Sequence, residues 1–143
     1  MKLPAPQDTL ANCVWLPRLL AKARRLKAGS LPPEYAARFC HPTGVDAQFL
    51  AFFQLTPEAL QAAAACSDAD VTAWFAWLPT VNPARIAEWN HIAVNLGRPG
   101  FPLAERFPIA KTTTYKHIDS AGMETVFELI EADEREGRGK AEG

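Results

Sequence analysis

The sequence is poor in the features that usually announce a chemistry. Its 143 residues hold three cysteines, Cys13, Cys40 and Cys66, an odd number with no CxxC spacing. A disulfide framework needs pairs and a zinc site needs closely spaced ligands, so both are disfavoured. Free thiols in a reducing cytoplasm are the expectation. No Walker loop, GxSxG or HExxH occurs, and the run Lys111-Thr112-Thr113-Thr114 lacks the glycines that let backbone cradle a phosphate. No apolar run approaches the roughly 18 residues that span a bilayer. The opening MKLPAPQDTL has no apolar signal core, which argues against secretion. Excess charge is missing too: 15 Lys and Arg against 16 Asp and Glu give a net of −1, which disfavours general nucleic-acid binding. A hydrophobic fraction of 48% with 22% charged residues excludes a disordered or collagen-like chain.

Alanine and proline are abundant, and the prolines stand where helices should begin. Alanine is the best helix former, and proline is tolerated in the first turn but breaks a helix interior. A first helix is predicted over residues 16–28, with Pro17 in its first turn, Gly29 after its end, and Leu16, Leu19, Leu20 and Ala23 in its apolar stripe. A second is predicted over 45–53. Thr56-Pro57 and Asn82-Pro83 each supply an N-cap and a first-position proline, and Ser67 caps a helix running to Leu78. A last helix is predicted from Asp119, with Ile118 and Met123 as a hydrophobic staple. No stretch alternates convincingly as a strand, although 109–118 could be extended. The expectation is all-α: one domain over 1–136 of about six short helices, with a frayed tail over 137–143. Two Pro/Gly-rich loops, 29–44 and 97–118, interrupt it. A connection as long as the second is often a lid or binding loop; the plainer reading has it wrap the surface and anchor Phe101, Phe107 and Tyr115.

Candidate motifs are weak one by one. Residues 46–65 read as helix-turn-helix, but the second helix, PEALQAAAA, offers no positive charge for phosphates and only Gln61 for bases. That argues against sequence-specific DNA binding. Glu88 and His91 have the Glu-x-x-His spacing of carboxylate-bridged metal sites, yet no second copy exists, so no metal and no cofactor is expected. Cys40 beside His41 is a poor dyad, because sequence neighbours point apart. The four tryptophans, including Trp74 and Trp77 three apart, fall on predicted helices and are expected in the core. Charge placement is sharper. Arg18, Lys22, Arg24, Arg25 and Lys27 are five bases without an acid, and Arg18, Lys22 and Arg25 share one helix flank. Residues 119–136 hold seven acids against Arg135. The two stretches either satisfy each other and solvent, or leave Arg18, Lys22 and Arg25 as a docking flank for a protein or anionic partner.

Four segments together resemble a known family. WLPRLLAKARRLKAGSLPPEY, GVDAQFLAFFQLTPEALQAAAA, SDADVTAWF and PARIAEWN occur in this order. As a set they resemble the small bacterial proteins grouped as domain of unknown function 5069. The resemblance covers roughly residues 14–96 and leaves the long loop and the acidic helix outside it. It implies a helical cytoplasmic bacterial protein, with no established activity or catalytic residues to carry over. Asp46 and Asn90 lie in these segments as polar residues beside apolar ones. They read as a helix cap and a buried structural hydrogen bond, or as pocket residues with Arg18 and Tyr35. The leading expectation is a non-enzymatic helical interaction module. The second is a small-molecule-binding protein or enzyme with a pocket between the first helix, residues 35–46 and the Trp89-Asn90 region.

Overall fold

The computed structural model describes residues 2–136, so the tail from Gly137 lies outside the described residues. The fold is predominantly α-helical. It begins with a hairpin of β1 (Thr9–Leu10) and β2 (Cys13–Val14), antiparallel with Thr9 opposite Val14 and Leu10 opposite Cys13. Eight described helices follow: α1 Leu16–Ala28, α2 Pro33–Arg38, α3 Val45–Phe53, α4 Pro57–Ala64, α5 Asp68–Trp77, α6 Pro83–Val94, α7 Phe107–Thr112 and α8 Val126–Glu136.

The capping chemistry behaves as the sequence suggests. Thr56, Ser67 and Asn82 each accept a hydrogen bond from the N–H three residues on, satisfying donors that the first helical turn leaves free. α1 ends at Gly29, whose φ of 75° is left-handed and whose N–H returns to the Leu26 carbonyl. The main core lies between α1, α3, α5 and α6. Phe49, Phe53, Phe75 and Trp89 are fully buried there, with the Phe49 and Phe53 rings 5.0 Å apart and Phe49 edge-on to Trp89 at 5.4 Å. The apolar side of α4, Leu60, Ala63 and Ala64, packs against α1, so the helix-turn-helix segment is a packing element.

Four expectations change. The hairpin turns on Ala11 and Asn12, both at positive φ, as a two-residue hairpin turn requires; Ala-Asn lacks the glycine that would have signalled it. The short helices α2 and α7 occupy the two segments read as loops, and 109–118 is not a strand. α8 begins at Val126 rather than near Asp119. Its cap is Thr125, whose hydroxyl accepts from the Glu128 N–H at 3.2 Å while Glu128 Oε1 accepts from Thr125 N at 3.0 Å and Glu124 N at 2.9 Å. This reciprocal cap outcompetes a start at Asp119, because the residues before it end in turns around Gly122 at φ 81°. Trp77 is 87% exposed and Trp74 half-buried: α5 turns Val71 and Phe75 inward, and Trp77 stands about 200° around the helix from Phe75.

Candidate functional site

α1 has two faces with different work. Leu16, Leu19, Leu20 and Ala23 enter the main core, while Trp15, Arg18 and Lys22, spaced three and four apart, line a cavity of about 120 Å3. α2 contributes Tyr35 and Arg38, the start of α3 contributes Gly44 and Asp46, the stretch 103–115 adds Arg106, Phe107 and Tyr115, and α8 closes it with Ile130, Asp133 and Glu134. The cavity thus joins residues near the start of the chain to residues near its end.

The polar groups that α1, α3 and α8 bring to it are paired, and Arg18, Lys22, Asp46 and Asp133 are buried. Lys22 Nζ donates to both oxygens of Asp46, at 2.7 and 2.8 Å, with both side chains almost wholly buried. The Asp46 carboxylate also accepts from Trp15 Nε1 at 2.8 Å and from the Cys40 N–H at 2.9 Å. The Arg18 guanidinium forms a two-pronged pair with Glu134 and donates to the Pro4 carbonyl at 3.0 Å; the Tyr35 hydroxyl donates to Glu134 at 3.2 Å. Both cations lie near the Trp15 ring, with Lys22 Nζ 4.9 Å and the Arg18 guanidinium carbon 5.4 Å from its centroid. On α8, buried Asp133 contacts His117. Burial pushes the Lys22 ammonium below its ordinary pKa, and Asp46 opposes that shift. The Cys40 thiol is pushed up to about 11, first by burial and then by the Asp46 charge.

Backbone strain gathers around the same cavity. Trp15 at φ 74° and Leu103 at φ 68° line it, and Cys40 at φ 56° holds its N–H on Asp46. Bulky residues in the left-handed region cost on the order of 1–3 kcal/mol each and persist only where surroundings hold them. For Trp15 the restraint is plain: its ring stacks on Phe127 at 5.5 Å and its indole N–H is bound by Asp46.

The structure brings Arg18, Tyr35 and Asp46 together and places Asn90 elsewhere. Asn90 Oδ1 accepts from Val14 N at 3.0 Å and its Nδ2 donates to the Asn12 carbonyl at 2.9 Å, fastening the hairpin to α6. The third wall is α7 and α8 instead of the Trp89-Asn90 region. The flank Arg18, Lys22, Arg25 is divided as well: Arg18 and Lys22 are buried in ion pairs, while Arg25 reaches the Lys2 carbonyl at 3.5 Å. Arg18 meets the acidic last helix, whereas Lys22 turns to Asp46, and Arg24 to Asp68 at 2.9 Å. Arg38, Arg106 and Glu134 were missed as cavity residues, and no local motif marks them. Beside Cys40, His41 turns its Nδ1 to the Thr43 hydroxyl at 2.9 Å. Glu88 and His91 are exposed on α6. Among the described residues no cluster of three or more His, Cys, Asp or Glu could hold a metal ion, and no helix is long and apolar enough to cross a membrane.

No curated protein and no solved structure matches the chain. A family model does match, and it runs past residue 96 through the long loop and into α8. The acidic helix and the wall of the cavity that it forms therefore fall within the family region, not outside it. Across residues 2–136 the chain belongs to the family described as a domain of unknown function (DUF5069).

Proposed function

We propose that this protein binds a small molecule in the cavity between α1, the segment 35–46, α7 and α8, in the cytoplasm of a bacterial cell. The observation that carries the reading is convergence: four stretches distant in sequence turn buried charges and strained backbone toward one cavity of about 120 Å3. Pockets with a few held polar groups on an apolar lining are the usual form of small-molecule sites. Binding is favoured over catalysis because the carboxylates are committed. Asp46 already accepts four hydrogen bonds and Glu134 three, which leaves neither as an idle base. The interaction-module reading loses its docking flank, since Arg18 and Lys22 lie inside the fold. Three cysteines free of disulfides fit a reducing compartment.

Thermal-shift measurement against a set of small metabolites tests the proposal, with Ala110→Phe as a variant whose ring fills the cavity. A ligand present at a hundred times its Kd adds about 2.7 kcal/mol, or roughly 8 °C for a chain of this size. The expected result is a shift in the native protein that Ala110→Phe abolishes. Shifts equal in both proteins, or none in either, overturn the reading.

A further inference from the structure

The charges lining the cavity do not cancel. Lys22 is neutralised by Asp46 and Arg18 by Glu134, and Asp133 contacts His117. Two guanidinium groups on the lining, Arg38 and Arg106, have no carboxylate partner among the described residues. Arg38 is half-buried and held in place: its Nη1 donates to the Thr43 hydroxyl at 3.3 Å. Its Nη2 lies only 3.2 Å from where a side chain at residue 44 would begin, so the glycine there makes room for the guanidinium. Arg106 is exposed and also lines the cavity. Thr113 and Thr114 also reach the lining, and the remaining wall is apolar, with Phe107, Val126 and Ile130.

We infer that the ligand is a small organic anion, a carboxylate or phosphate monoester, with its charge held by Arg38 and Arg106 and its apolar body against Phe107 and Ile130. The inference rests on the binding reading above and adds the ligand's chemistry to it. An arginine fork matches the two oxygens of a carboxylate or phosphate and gives strong charge-assisted hydrogen bonds. A cation is served less well, because the lining carboxylates Asp46, Glu134 and Asp133 each already contact a basic group of this chain. Size limits the body: a cavity of about 150 Å3 holds a benzene-sized molecule, so the body is about as large as a short alkyl chain.

The test uses butyrate, butyramide and butylamine, which share a body and differ in charge, with propyl phosphate as the second anion. Each is titrated into the full-length protein while backbone amide NMR shifts are followed. Butyrate or propyl phosphate is expected to bind at least about tenfold more tightly than butyramide, from the one or more charge-assisted hydrogen bonds gained. Arg38→Gln removes that preference, and backbone amide shifts that otherwise overlay those of the native protein show that the cavity is still formed. Arg38→Lys restores only part, because the fork is lost. If butyramide or butylamine binds as tightly as both anions, and Ala110→Phe blocks it, the anion inference fails while the binding reading stands. If none of the compounds, nor any of the metabolites above, binds in a manner that Ala110→Phe blocks, the binding reading fails with it. An anion preference that survives Arg38→Gln and Arg106→Gln together also overturns the inference.

Discussion

Replacing Lys22 by methionine should be among the most damaging single changes on α1, although it exchanges a charged residue for an apolar one of similar length. The magnitude follows from the pair. At 2.7 and 2.8 Å, two unit charges attract by about 6 kcal/mol at an effective dielectric of 20. Burial costs several kcal/mol per ion, so the intact pair contributes little net stability. Lys22→Met removes the attraction and leaves the Asp46 carboxylate buried with only the Trp15 and Cys40 N–H groups. Breaking a buried pair in this manner costs about 3–5 kcal/mol, or roughly 10–20 °C in Tm for a chain of this size. The double variant Lys22→Met with Asp46→Asn removes both charges and should recover most of the loss. Urea denaturation, read as midpoint at constant slope, measures all four corners of the cycle. The alkaline side gives an independent check. Because burial holds Lys22 below its ordinary pKa, the unfolded chain binds this proton more tightly, so Lys22 contributes a stability that rises with pH between its lowered pKa and about 10.4. Lys22→Met removes that slope. A single variant within about 1 kcal/mol of the native protein, or a double variant as unstable as the sum of the singles, refutes the reasoning.

Three further outcomes are expected. Cys13 and Cys40 are held up to about 12 and about 11, chiefly by burial, whereas Cys66 is exposed. At pH 8 a thiol reagent should therefore modify Cys66 rapidly and the other two only on unfolding. The stability from the raised thiols is fully present below about pH 8.5 and is lost as pH rises through their folded values. Gly97→Ala meets two obstacles, a φ of 98° and a Cβ 2.9 Å from the Phe107 ring. It should cost about 1–3 kcal/mol in chemical denaturation and weaken ligand binding by displacing a wall of the cavity. Thr125→Ala removes the α8 cap and should cost about 1 kcal/mol. Backbone and hydroxyl hydrogen bonds lower the Glu128 pKa in the native protein, so its stabilising effect is present above the usual carboxylate range and is lost as pH falls through the lowered value. A pH-resolved comparison should show a shallower acid limb in the variant.

Local chemistry was legible in the sequence wherever it was decided locally. α1 and α3 begin and end where proline, glycine and the apolar spacing put them, and the caps at Thr56, Ser67 and Asn82 bond as their residue types require. α8 is the instructive failure. Two local signals compete there, a staple at Ile118 and Met123 and a capping box at Thr125 and Glu128, and the box prevails where Val126 N also bonds the Leu96 carbonyl at 2.8 Å. The hairpin and the two six-residue helices escape for a different reason. Their backbone is held by neighbours, as Asn90 and Trp89 hold the ends of the hairpin through Asn12 and Val14. The site divides along the same line. Arg18, Tyr35 and Asp46 stand out within one half of the chain, while Glu134 and Arg106 become cavity residues only when the far end of the chain packs on α1.

The net charge of −1 therefore conceals an arrangement rather than a balance. If the basic α1 and acidic α8 simply neutralised each other, their charges would pair across one interface. Instead α1 distributes its cations: Arg18 to α8, Lys22 to α3 and Arg24 to α5. Each pair fixes a different element around α1, and the two buried pairs, both near the Trp15 ring, line the cavity. Exposed pairs such as Arg24–Asp68 contribute at most about 1 kcal/mol, so stability alone gives little reason for the pattern. Buried pairs are usually no better than apolar residues of the same volume. What the pairs do uniquely is orient: they hold Trp15 in a strained conformation and place one wall from each end of the chain against the same space. Among the described residues they also leave Arg38 and Arg106 as lining cations without a carboxylate, the pair to which the anion is assigned above.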